Sequence, residues 1–121
     1  MIVEDNDGFR ETLRLVLGLR PGIEVVGAVG SGSEGVEACA RLAPDVAVVD
    51  YRMPGLNGAQ TAAAVRVASP STRVVCLTAS ISGYEAELVL AAGAVACITK
   101  DESLDRIVEV ILEAGSGVSH V

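Results

Sequence analysis

The 121-residue chain has no tryptophan, one phenylalanine and two tyrosines, so large rings cannot build its interior. The core must come from Val, Leu, Ile and Ala, which suit layers of sheet and helix. Basic charge is also scarce: nine Lys and Arg stand against sixteen Asp and Glu, for a net charge of −7. That balance argues against a nucleic-acid surface, which needs basic grooves and often rings for stacking. Three cysteines (Cys39, Cys76 and Cys97) lie in apolar segments without metal-type spacing, and an odd number cannot all pair within one chain. They fit reduced, buried thiols of a cytoplasmic protein. Long apolar runs are missing too. The longest weakly polar stretch, residues 89–98, is far too short to cross a bilayer, and no signal peptide precedes the acids that begin at Glu4. One soluble domain is expected, with no membrane contact.

What is present is an alternation of two hydrophobic periods. Short β-rich runs occur at residues 1–4, 23–28, 46–50, 73–78 and 94–98. Between them, helical spacing links Phe9, Leu13, Val16 and Leu17, then Val36, Cys39, Ala40 and Ala43, and finally Leu104, Ile107, Val108, Ile111 and Leu112. Residues 58–68 and 83–92 are alanine-rich and complete the set of helices. Turn chemistry agrees: Ser31 with Glu34 suggests a capping box, Pro44 and Pro70 end helices before strands, and Gly93 suits a left-handed cap. Five β-α units predict a parallel sheet with helices on both faces. The runs "VAVV" and "VVCL" have the continuous apolar character of strands buried on both sides. The first strand is short for the middle of such a sheet, which suggests that a few residues are missing in front of it. Residues 1–115 are expected to be the domain. Residues 116–121 are expected to be a linker or tail in which His120 is inert.

In open α/β sheets, ligands bind at the carboxyl ends of strands near a reversal of strand order. Those ends here carry Glu4 and Asp5, Asp50, Thr78 and, just beyond the fifth strand, Lys100. Each has an ordinary structural explanation alone, as a turn cap, a strand threonine or a solvated charge. Their arrival at one edge is what counts. Lys100 is the only lysine in a chain that otherwise uses arginine, and a compact ammonium suits a small acidic site. Clustered carboxylates repel unless cations compensate, and an oxygen-only site with room for water and phosphate suits magnesium. In that setting Asp50 is the best placed nucleophile toward a phosphoryl group.

The stretches "IVEDN", "VVDYRMPGLNG", "CLTAS" and "GAVACITKDES" together resemble the receiver domain of bacterial two-component response regulators. The resemblance spans nearly the whole chain. It implies a flavodoxin-like (βα)5 doubly wound parallel sheet of strand order 2-1-3-4-5. It also implies that Asp50 accepts a phosphoryl group from a sensor histidine kinase or a small acyl phosphate. Magnesium would be held by Asp5 directly, Glu4 through water, Asp50 and the main-chain carbonyl of Arg52. Thr78 and Lys100 would engage the phosphoryl group, so the domain would assist its own phosphorylation and dephosphorylation without being an enzyme in its own right. Cys97 departs from the family, which usually has an aromatic residue three positions before the lysine. Asp101 after the lysine resembles the NarL or LuxR type, whose output is a DNA-binding domain controlling transcription. That output domain is absent here. Self-association through an apolar stripe on the first or last helix stays open.

Two rivals remain at this stage. One is a pseudo-receiver acting as a phosphorylation-independent protein-binding module, favoured by Cys97. The other is a flavin carrier or Asp-nucleophile phosphatase. The glycine-rich "GAVGSGSEG" lacks the lysine of a phosphate loop, and Arg52 stands where a phosphatase would place its second acid.

Overall fold

In the computed structural model, the described part of the protein is residues 1–115 and the backbone of Ser119 and His120. The expected tail falls mostly outside it, as does the side chain of His120. The elements in chain order are β1 (Ile2–Val3), α1 (Asp7–Gly18), β2 (Ile23–Glu24), β3 (Ala28–Val29), α2 (Gly32–Leu42) and β4 (Val46–Val49). They continue as α3 (Gly58–Ala68), β5 (Arg73–Thr78), α4 (Gly83–Ala91), β6 (Ala96–Thr99), α5 (Leu104–Ala114) and β7 (Ser119–His120).

Five strands form one parallel sheet in the order β3-β1-β4-β5-β6. With β3 counted as the end of the second expected strand, this is the order 2-1-3-4-5. That strand needs correcting. Residues 23–28 do not form one continuous strand: Ile23 and Glu24 pair with Ser119 and His120, and the main sheet takes only Ala28 and Val29. The cause is the ladder itself, because β1 offers only Ile2 and Val3, which face Ala28 and Val29. β-Propensity keeps the preceding residues extended, but no main-sheet strand lies opposite them.

The side-chain period of two divides the core between the sheet's faces. Val3, Ala47, Val49, Val74 and Cys76 point one way, into a cluster with Cys39, Ala62, Val65 and Val89 of α2, α3 and α4. Ile2, Val46, Val48, Val75 and Leu77 point the other way, against Leu13, Leu17, Ile107, Val108 and Ile111 of α1 and α5. All four residues of β4 are buried, which explains why its sequence shows no polar alternation. Each such Val stabilises the fold by about 1.5–3 kcal/mol relative to an exposed one.

Local chemistry fixes the helix ends. Asn57 with Gln60 and Ser82 with Glu85 form complete capping boxes at α3 and α4. At α2, Ser31 accepts from the Glu34 amide, but its hydroxyl donates to the Glu34 carboxylate at 3.0 Å, so the expected box is half formed. α2 closes on Ala43 at φ 44°, ahead of Pro44, and Gly93 takes φ 121° after α4. Gly35 permits α2 to lie close on the sheet, since a Cβ there would stand 2.6 Å from Val3 Cγ2.

Candidate functional site

The site is hung from the ends of the parallel ladder. The Glu4 amide donates to the Val29 carbonyl at 3.0 Å, the Asp50 amide to Val3 at 3.0 Å, and the Lys100 amide to Thr78 at 2.8 Å. Each functional residue is thus the first one past a strand, still tied to its neighbour by a backbone bond. Parallel register is what brings segments far apart in sequence to one rim.

At that rim, the carboxyl oxygens of Glu4, Asp5 and Asp50 lie within 4.8 Å of one another. Glu4 and Asp50 are buried at 2% and 8% exposure, whereas Asp5 faces solvent. The Lys100 ammonium reaches in from β6, bonded to Glu4 Oε1 and 3.2 Å from Asp50 Oδ2. It also sits 4.1 Å from the centre of the Phe9 ring. Thr78 is buried at the end of β5, with its hydroxyl 3.4 Å from the Ser80 carbonyl oxygen. The next residues, Ala79 and Ser80, are small and exposed, leaving the approach to Asp50 uncovered by large side chains.

Charge crowding shifts the acids apart. Burial pushes the Glu4 carboxyl up to about 7, with Asp50 adding to the rise and Lys100 opposing it. Burial works against ionisation of Asp50 too, but the adjoining Glu4 carboxyl, the Thr78 hydroxyl and Lys100 outweigh it and hold Asp50 below its usual range. The proton retained by this pair near neutrality therefore belongs on Glu4. Asp50 stays ionised, as a ligand or nucleophile must. Desolvation also works to lower Lys100, yet its contacts with Glu4 and Asp50 prevail and raise it, so the cation is retained.

Asp50 Oδ1 is buried without a hydrogen-bond partner among the described residues. A buried carboxylate oxygen left unpaired is costly, so this one calls for a ligand. Three acids around one lysine, all oxygen donors, fit a hard divalent cation.

The loop after β4 holds the last expected contributor. Gly58 begins α3 with its amide donating to the Tyr51 carbonyl at 2.8 Å, and a Cβ there would come within 2.7 Å of Tyr51 Cα. The glycine in "MPGLNG" at position 58 is therefore what lets the loop fold back behind Asp50. Arg52 does not put its side chain into the acidic cluster. Its guanidinium makes a two-pronged bond to Glu85 of α4, at 2.7 and 3.1 Å. A main-chain role is the one left to it.

Sequence reasoning had placed Phe9 only on the apolar face of α1. Its position one turn beyond the acid pair was the available signal for a second place, beneath the lysine. The Arg52–Glu85 bond was not foreseen, since nothing local links residues 33 apart.

A family model for the response regulator receiver domain matches residues 1–112. The chain belongs to this family. Among curated relatives, the probable transcriptional regulatory protein NarL of Mycobacterium tuberculosis (strain ATCC 25618 / H37Rv) is 36% identical over 117 residues, covering 97% of this chain and 54% of the relative. The nitrate/nitrite response regulator protein NarL of Escherichia coli (strain K12) is 30% identical over 119 residues, with the same coverage of each. The receiver thus spans about half the length of these relatives. The solved signal receiver domain of the putative response regulator NarL from Mycobacterium tuberculosis superposes with a TM-score of 0.90 at 36% identity, covering 96% of this chain and 94% of that one. The flavodoxin-like fold of the sequence analysis agrees with this likeness. No helix among the described residues is long and apolar enough to cross a membrane.

Proposed function

We propose that this receiver is a phosphorylation-activated switch in which Asp50 accepts a phosphoryl group from a sensor histidine kinase. The observation that carries the proposal is the buried, ionised, half-unpartnered carboxylate of Asp50 beside Lys100 and Thr78. The residues suited to hold magnesium are Asp5, Asp50 and the Arg52 carbonyl, with Glu4 acting through water. The ion would supply neutralisation of charge on the incoming phosphoryl group. Asp50 attacks phosphorus through a carboxylate oxygen, and the bond to the phosphohistidine nitrogen breaks. Lys100 is already within ion-pair distance of Asp50 and pairs with the new charge, while the Thr78 hydroxyl donates to a phosphoryl oxygen.

The signal follows from those movements. Thr78 and Lys100 sit on neighbouring strands that lead into α4 and α5, so drawing them toward Asp50 shifts the surfaces of those helices. A tenfold change in population takes only about 1.4 kcal/mol, within reach of one charge-assisted hydrogen bond. By likeness to the NarL relatives, the readout is a DNA-binding output domain that regulates transcription, in the cytoplasm. The domain itself is regulatory, and it contacts neither nucleic acid nor membrane.

The experiment is calorimetric titration with beryllofluoride, a phosphoryl mimic, in magnesium buffer. Saturable binding to the wild type and none to Asp50→Asn supports the switch. Absence of binding by the folded wild type would instead make it a pseudo-receiver.

A further inference from the structure

Cys76 and Cys97 are unused by the phosphorylation chemistry, and the sheet brings them side by side. They are direct partners in the parallel register of β5 and β6. Both face the same side of the sheet, in the cluster that includes Val89 and Ala92 at α4. Burial, with the neighbouring Cys97 adding to it, pushes the Cys76 thiol well above its usual range. Neighbouring strands stand about 4.8 Å apart, inside the Cα separation of about 4.4–6.8 Å that a disulfide spans. Exposure divides the pair: Cys76 is fully buried, while Cys97 is partly open to solvent. The third thiol, Cys39, is buried on α2, which packs on β1, two strands away from β5.

We propose that Cys76 and Cys97 are a redox modification site, which a hydroperoxide converts into a disulfide joining β5 to β6. The chemistry has two steps. The Cys97 thiolate attacks a peroxide oxygen, so that an S–O bond forms, the O–O bond breaks, and the departing hydroxide takes up a proton as water. Cys76 then attacks the sulfenic sulfur of Cys97 as its thiol proton passes to the departing hydroxide; the S–S bond forms, the S–O bond breaks, and a second water leaves. Two thiols are oxidised and one peroxide is reduced. Partial exposure makes Cys97 the residue that meets the oxidant, and the buried Cys76 is placed to resolve it before a second peroxide arrives. The bond would staple together the two strands that end in Thr78 and lead to Lys100.

The test treats the whole chain with hydrogen peroxide, then denatures it in an alkylating agent and measures intact mass and peptide linkage. The wild type is expected to lose two hydrogens, to keep a single alkylatable thiol at Cys39, and to yield a crosslinked Cys76–Cys97 peptide that dithiothreitol separates. Cys39→Ala is expected to form the same crosslink. Cys97→Ala is expected to form none, and Cys76→Ala to accumulate on Cys97 a sulfenic acid that dimedone traps. Circular dichroism of each variant before oxidation confirms that the fold is retained. Three alkylatable thiols surviving peroxide in the wild type would overturn the proposal. So would over-oxidation of Cys97 without a crosslink, or a crosslink that uses Cys39 or joins two chains.

Discussion

Replacing Lys100 with Met keeps an unbranched apolar stem one atom shorter and removes the cation nearest to Glu4 and Asp50. The wild-type site already holds Glu4 at about 7. Without the ammonium, carboxylates 4.8 Å or less apart repel by roughly 3 kcal/mol at an effective dielectric constant of about 20. Protonation of Glu4 relieves that repulsion, so the carboxyl rises further in the variant. An acid whose folded-state value lies above its unfolded value contributes stability that is complete below the unfolded value and is lost as pH rises through the folded one. The wild type loses this contribution through about pH 7 and the variant at higher pH, where ionisation costs more. At pH 6 Glu4 is mostly protonated in both, and the variant's deficit is the lost ion pair with Asp50 and the contact with Phe9, together about 1–2 kcal/mol. Between pH 6 and pH 8 the deficit widens by on the order of 1 kcal/mol, because the folded variant keeps a proton that the wild type and the unfolded chain release, so its stability goes on falling where that of the wild type has levelled off. Urea unfolding at the two pH values, without divalent metal, measures both quantities. A deficit that shrinks or stays constant toward pH 8, or is absent at both values, would refute the placement of the shared proton on Glu4.

The same proton makes magnesium affinity pH-dependent: with Glu4 at about 7, binding is expected to strengthen from pH 6 to pH 8 and to release protons, read by calorimetry in buffers of different ionisation enthalpy. Gly58→Ala drives a Cβ against the backbone of Tyr51 and Asp50, at 2.7 and 3.0 Å, and should cost about 1–3 kcal/mol in urea unfolding while slowing phosphorylation. Arg52→Ala removes an exposed bond to Glu85 and should change stability by less than about 1 kcal/mol, as a thermal melt would show, because the Ser82–Glu85 capping box remains.

The layering was legible in the sequence because strands buried on both faces and amphipathic helices alternate without interruption. α3 and β5 fall on the residues expected of them, where Pro70 and the apolar run of β5 mark the boundary between them. The second strand was less legible, since β-branched residues report an extended backbone and not whether another strand lies opposite. The convergence of Glu4, Asp5, Asp50 and Lys100 was foreseeable from topology alone, for parallel strands deliver their carboxyl ends to one rim. The chemistry between those groups was not. That Glu4 and not Asp50 is pushed up depends on how Thr78 and Lys100 divide between two carboxyls that burial opposes alike, and no spacing encodes that. The facing of Cys76 and Cys97 likewise required the β5–β6 register.

The central claim is that one carboxylate, that of Asp50, takes the phosphoryl group. The direct measurement is intact mass after incubation with acetyl phosphate and magnesium, for the wild type and for Asp50→Asn. One added phosphate in the first and none in the second is the expected result. Equal uptake by the two, or none by a folded wild type, would contradict it.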